Sequence, residues 1–273
     1  MKKNKSLLLS APYILWMLVF TLIPLGVVGY YALTDPDTGA FTLSNLKDIA
    51  LFFPVLGSSV GYALVSALIC LILGYPVAYF IAHRSEVTQK ILYMLVMLPM
   101  CMSFLLRTLA WVGLLETNGI INHLLGYLHI GPLNMIGTPG AVILGMVYNY
   151  LPYMILPLYA IIVKIDNRLI EAAEDLGCNS VKVFAKVVLP LSMPGILSGI
   201  TMVFVPAVST FYISQKLGGT DTLLIGDVIE RQFKSAGNPN LGAALSLVLM
   251  LLVFVCTGIM NRFGSDEEGG VVV

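Results

Sequence analysis

An all-α polytopic membrane protein with six spans is the fold class this sequence predicts, on three observations. Apolar residues make up 58% of the chain and charged residues only 11%, whereas about 25% of a typical soluble domain is charged. The mean hydropathy is +0.90. Six stretches, 7–33, 56–82, 91–115, 138–163, 196–214 and 241–260, each approach the roughly 20 apolar residues that cross a bilayer as a helix. The polar segments between them are too short for a second fold, so 1–273 are expected to form one transmembrane domain.

Lys2, Lys3 and Lys5 precede the first stretch, which is too long for a secretory signal and lacks a small-residue cleavage site, so it is a retained span. Pro24 is positioned to kink it, and Asp35, Pro36, Asp37 and Gly39 after it are turn chemistry. Gly57 and Gly61 in the second span, and Gly195 and Gly199 in the fifth, form small-xxx-small pairs that let backbones approach closely. The second span ends in LGYPVAYFIAHR, where Pro76 marks either a hinge or a static kink. Arg107 interrupts the third span. An arginine at that depth either snorkels toward the neighbourhood of Glu116 or faces a wet cavity in a functional role.

An outer loop follows at 116–140. Its His123 and His129 lie six apart without Cys or carboxylate at ligand spacing, so no metal is expected. Cys70, Cys101, Cys178 and Cys256 contain no CxxC and are expected as free thiols. The fourth span places Tyr148, Asn149, Tyr150, Pro152, Tyr153 and Pro157 where a plain anchor has leucine. The fifth does the same with Pro206, Ser209, Thr210, Phe211, Tyr212 and Ser214. Such positions either line a pathway or bind helices to one another.

Between these two spans lies the longest polar passage, a hairpin at 165–190. Leu169, Ile170, Ala173 and Leu176 recur at spacings of three and four opposite Glu171, Glu174 and Asp175. Asn167 is the expected cap, Gly177 the stop, and Ser180 the cap of a second short helix limited by Pro190 and Pro194. A headgroup-resting loop would want a basic face, and this face is acidic. The cations divide ten against five, with Arg84, Lys90, Lys164, Arg168, Lys182, Lys186 and Arg262 on the side of the amino terminus. That asymmetry predicts cytoplasmic termini and a cytoplasmic hairpin.

The spelling Glu171, Ala172, Ala173, then Gly177, then Leu189 and Pro190, with Val187 where isoleucine is commoner, resembles the EAA loop of ABC importer permeases. Across nearly the whole chain, LGYPVAYFIA, AVILGMVYNYLPYMILPLYAII and FYISQKLGGTDTLLIGDVIERQF look like the permeases of spermidine/putrescine importers. The resemblance implies a MetI-like type I importer permease fold in a bacterial inner membrane. It also implies a second permease subunit, a dimer of a cytoplasmic ATPase docked on the hairpin, and an extracytoplasmic polyamine-binding protein. Membrane lipid is the remaining partner, and nothing in the zero net charge argues for nucleic acid.

A polyamine's ammonium groups gain roughly 0.5 to 2 kcal/mol on aromatic faces, which Trp111, Tyr148, Tyr150, Phe211 and Tyr212 can offer beside Arg107. Asp221, Asp227 and Glu230 in the last outer loop either attract a cation, dock the binding protein or are simply solvated. The chain lacks GxxxxGK[ST] and HExxH, so no enzymatic activity is expected and ATP hydrolysis falls to a partner. Alternatives are a sibling ABC importer for thiamine, phosphonate, iron or an oxyanion, or an ion-driven secondary transporter, which would normally carry more intramembrane ionisable groups.

Overall fold

The computed structural model describes residues 12–36, 38–129, 131–219, 222–234 and 237–268. Lys2, Lys3, Lys5, Asp37 and Asp221 lie outside the described residues. The chain divides into two compact units, one of 1–54 with 228–252 and one of 55–227 with 253–273. Among the described residues five helices are long and apolar enough to cross a membrane, or six if one bent pair counts as a single span.

The first unit begins with α1, Pro12–Ala32. Its π-helical turn at Leu18–Leu22 immediately precedes Pro24, whose ring would otherwise press on the carbonyl four residues back. After α1, Thr34 is an anchor. Its carbonyl accepts from the Asn45 side chain at 2.9 Å and the Asn240 side chain at 2.6 Å. All three residues are buried, so polar groups that would be costly in apolar surroundings satisfy one another. Asn45 lies in the short helix α2, Ser44–Asp48.

The second unit is built on α3, Phe53–Ala82, which runs unbroken through Pro76. The expected third span is not one helix. It divides into α4, Glu86–Met97, a 3-10 turn at Leu98–Cys101 around Pro99, and α5, Phe104–Leu115. Pro99 cannot donate, and Met102 is extended, so the ladder stops there. The stretch that meets the length and hydropathy of a span is Phe104–Tyr127, including α6, Ile120–Tyr127. Part of the expected outer loop is therefore helical, and buried Asn122 braces it to the Leu133 backbone at 2.9 and 3.0 Å.

At the centre of this unit stands α7, Pro139–Ile162, the span with the largest buried share. Thr138 caps it by accepting from Ala141 N at 3.2 Å, and Pro139 occupies the first turn, where its missing N–H costs nothing. Cys70 of α3 donates to the Val147 carbonyl at 3.7 Å.

Two helices form the hairpin: α8, Asn167–Asp175, and α9, Ser180–Leu191. The pair of α9 and α10, Met193–Val208, bends by 64° at Ser192. The expected span at 196–214 is thus not a single helix either. After α10 the chain breaks at Ser209 to Phe211 before α11, Tyr212–Leu217. Two further helices complete the described chain, α12, Ile225–Lys234, and α13, Pro239–Glu268, which carries helix into part of the acidic tail.

The two small-residue pairs differ. A Cβ on Gly195 would lie 3.1 Å from the Pro157 carbonyl, and one on Gly199 2.6 Å from Met154 Sδ, so α10 and α7 meet backbone to backbone there. Gly57 and Gly61 are exposed and meet nothing within 4 Å. In this chain they pack against no neighbour. Gly219 also closely approaches the Gly137 backbone, where a Cβ would sit 2.7 Å from a carbonyl oxygen that cannot swing away. Gly137, at φ +82, meanwhile donates to Leu217 O at 2.9 Å. Gly219→Ala is expected to cost about 1 to 3 kcal/mol of stability, measured by thermal or denaturant unfolding of the detergent-purified chain.

Candidate functional site

The hairpin's geometry follows from its caps. Asp166, one residue earlier than expected, caps α8 by accepting from Arg168 N at 3.0 Å, and Asn167 is the first helical residue. At the other end Gly177 takes φ +81, Cys178 N donates to Ala173 O at 3.1 Å, and Gly177 N donates to Glu174 O at 2.8 Å. This pair of bonds is a Schellman closure, which requires a left-handed residue where glycine stands. Asn179, again one residue before the expected Ser180, caps α9 through Lys182 N at 3.0 Å.

The apolar stripe of α8 is divided. Ile170 and Ala173 are half-buried against the chain, whereas Leu169 and Leu176 are exposed, Leu176 at 86%. Val181 at the start of α9 is 74% exposed. Glu171, Ala172, Glu174, Asp175 and Gly177 are exposed beside them, Leu189 is half-buried, and Pro190 is exposed. The outer surface of the hairpin is therefore acidic and apolar together.

Its base is fastened to α3. Phe184 meets Tyr75 edge-on at 5.4 Å and Tyr79 at 6.2 Å, and Tyr79 lies 4.1 Å from His83. Ser192, at the bend, donates to Leu189 O at 2.9 Å. Its single proton is thereby committed, so Tyr75 Oη donates to Ser192 Oγ at 2.8 Å. Sequence reasoning missed this clasp, although Tyr75, Tyr79 and His83 recur every four residues and so share one helix face.

The second candidate region surrounds the α10–α11 break. Arg107 on α5 is 5% exposed, and its Nε and Nη1 have no hydrogen-bond partner. Asn149 on α7 is fully buried, donates to Gly145 O at 2.9 Å, and leaves Oδ1 without a partner. Tyr150, also buried, donates to Pro206 O at 3.3 Å and so ties α7 to the end of α10. The region therefore combines a broken helix with two buried polar side chains whose hydrogen bonding is incomplete, and such groups mark functional positions in a membrane.

The six sequence-picked path residues do not form one cluster. Trp111 and Tyr148 pair at 5.3 Å, with Tyr148 38% exposed. Two positions along α7, about 200° around the helix, Tyr150 faces the break. Phe211 lies within the break and is 40% exposed. Tyr212 sits 6.3 Å from Phe104, and Lys216 Nζ stands 5.8 Å from its ring.

The outer-loop acids also part company. Asp227 is 1% exposed and accepts from Leu224 N at 2.9 Å, which makes it an internal brace and removes it from the surface available to a docking protein. Glu230 is paired with Lys234 at 2.7 Å.

Comparison with known proteins agrees with this architecture. Residues 72–266 match the family described as binding-protein-dependent transport system inner membrane component. The spermidine/putrescine transport system permease protein PotB of Salmonella typhimurium is 38% identical over 267 residues, covering 92% of this chain and 93% of that one. Among solved structures, a bacterial ABC transporter involved in importing the acidic polysaccharide alginate aligns with a TM-score of 0.81 at 17% identity, over 97% of this chain and 99% of that one. A bacterial alginate ABC transporter in complex with a periplasmic protein bound to alginate pentasaccharide aligns at 0.73 and 18% identity, over 95% and 94%. With the hairpin, the broken spans and these likenesses in agreement, the chain belongs to the binding-protein-dependent transport system inner membrane component family, as a multi-pass permease subunit of an ABC importer and not an enzyme.

Proposed function

We propose that this chain is one of two permease subunits of an ATP-driven polyamine importer. In this reading it works with a cytoplasmic ATPase dimer docked on the hairpin and an extracytoplasmic polyamine-binding protein. The observation that carries the substrate assignment is 38% identity, over nine-tenths of the chain, to a permease named for spermidine and putrescine. The docking role rests on the hairpin's surface. Exposed Leu176 and Val181 beside Glu171, Glu174 and Asp175 are poorly suited to anionic headgroups and well suited to a groove on a protein. Glu171, Ala172, Ala173, Gly177, Leu189 and Pro190 form the coupling element, which passes a rigid-body movement inward.

For the path, Tyr148 and Phe211 offer the most open aromatic faces to an ammonium group. Tyr212 already has Lys216 within reach, Trp111 packs on Tyr148, and Tyr150 secures the break. Arg107 is the fixed charge of the region. The hairpin and both termini lie in the cytoplasm, on the cation asymmetry of the loops.

The test is uptake by the complete importer in proteoliposomes. Labelled spermidine should enter only with ATP inside and binding protein outside, and unlabelled putrescine or spermidine should compete. Competition by thiamine or an oxyanion in place of polyamines would reassign the substrate. In the same vesicles a cysteine at Asp175 should react only from the ATPase side, and labelling from the opposite side would invert the topology.

A further inference from the structure

Beside the hairpin, the second unit contains a cavity of about 260 Å³ between the ends of α3 and α7 and the start of α8. His83, Arg84, Gln89, Ile165, Asn167 and Val188 are among its lining. The wall is preformed. Gln89 spends both amide protons on Ala82 O and Arg84 O, at 2.9 and 2.8 Å, and accepts from Tyr159 Oη at 3.2 Å.

The chemistry of the rim is cationic. Arg84 is exposed, and its guanidinium lies 4.0 Å from the Phe80 ring centroid, which orients it while leaving its donors available. His83 has Nδ1 against the Tyr79 carbonyl at 2.9 Å. A carbonyl can only accept, so Nδ1 carries the proton and Nε2 faces other partners. Lys164 and Arg168 adjoin the lining residues in sequence. Two carboxylates adjoin the lining as well, Glu171 and Asp166, and Asp166 Oδ1 is already engaged by Arg168 N.

What continues from this rim is apolar and exposed: Phe80 and Val77 along α3, and Ile91, Met94 and Leu95 along α4. A cationic recess that gives way to bare hydrocarbon surface matches a molecule with a phosphate at one end and acyl chains at the other. We propose that this cavity binds the phosphodiester of a net-anionic phospholipid, with Arg84 as its donor, His83 beside it, and its chains lying along α3 and α4. Lipid bound there fills the space between α8 and the spans, next to the element proposed for coupling.

The test uses the complete importer in nanodiscs of mixed phosphatidylglycerol and phosphatidylcholine, with lipid retention read by native mass spectrometry. Phosphatidylglycerol should be retained at least about tenfold over phosphatidylcholine. Arg84→Gln with His83→Gln should abolish that preference, while Arg84→Lys should keep most of it. Equal retention by wild type and the double variant overturns the proposal. Displacement of the lipid by millimolar inorganic phosphate supports the phosphate site but overturns the lipid as its source. The readout does not depend on ATPase docking, so loss of the ATPase in hairpin variants with lipid retention unchanged would bear on the coupling role alone.

Discussion

Gly177→Val is expected to abolish most transport while leaving the chain folded in the membrane. Gly177 holds φ +81 with open space around it, so the cost of a side chain is purely conformational. A left-handed backbone costs an ordinary residue about 1 to 2 kcal/mol, and β-branching stiffens it further. The helix can escape that strain only by giving up the two bonds to Ala173 and Glu174 carbonyls, which turn the chain from α8 into α9. Either way the exposed acidic and apolar surface changes shape where the ATPase is proposed to dock. The expected result is loss of ATPase co-purification and a transport defect of at least about tenfold, equivalent to roughly 1.4 kcal/mol. Gly177→Asn, which tolerates the left-handed region better, should recover part of both. A Gly177→Val complex that retains its ATPase and couples hydrolysis to uptake would remove the hairpin from that role.

Arg107→Met is expected to separate stability from transport. The guanidinium is buried with two nitrogens unpartnered, and a buried charge lacking partners costs several kcal/mol. A methionine of similar reach removes that cost, so the detergent-purified chain should unfold at the same temperature or higher. Transport should fall by about tenfold or more, because a charge retained at such cost inside a bilayer marks a functional position. Arg107→Lys keeps the charge but loses the planar fork, and should fall between the two. Transport within about twofold of wild type in Arg107→Met, a change of less than 0.5 kcal/mol, would make the arginine a packing residue.

How much of this was legible in the sequence depended on which interaction decided each feature. Gly177 was legible because a helix stop needing a left-handed residue leaves a glycine behind. The caps were displaced by one residue since Asp166 and Asn167, like Asn179 and Ser180, are adjacent residues of equally suitable chemistry, and only backbone geometry chooses between them. The breaks at Leu98–Cys101 and at Ser209 to Phe211 escaped notice because hydropathy measures affinity for lipid and carries no record of a broken hydrogen-bond ladder. Asp227 misled for a related reason. A carboxylate near a loop is normally solvated, and the bond to Leu224 N that draws it inward belongs to tertiary structure. The two glycine pairs carry the same spacing, yet only Gly195 and Gly199 find a partner helix, which no local pattern can specify.

A π-helical turn occupies Phe184–Val188 in α9, just ahead of Pro190. Such a turn holds one residue more per hydrogen-bonded ring than the helix on either side. Absorbing that surplus residue into regular helix would rotate everything before it by about 100° while advancing it only about 1.5 Å. In the coupling role proposed above, a short thrust at Lys182 would emerge as a twist, in the manner of a screw thread, with Tyr75 touching the shaft at both ends of the turn, at Phe184 and at Ser192.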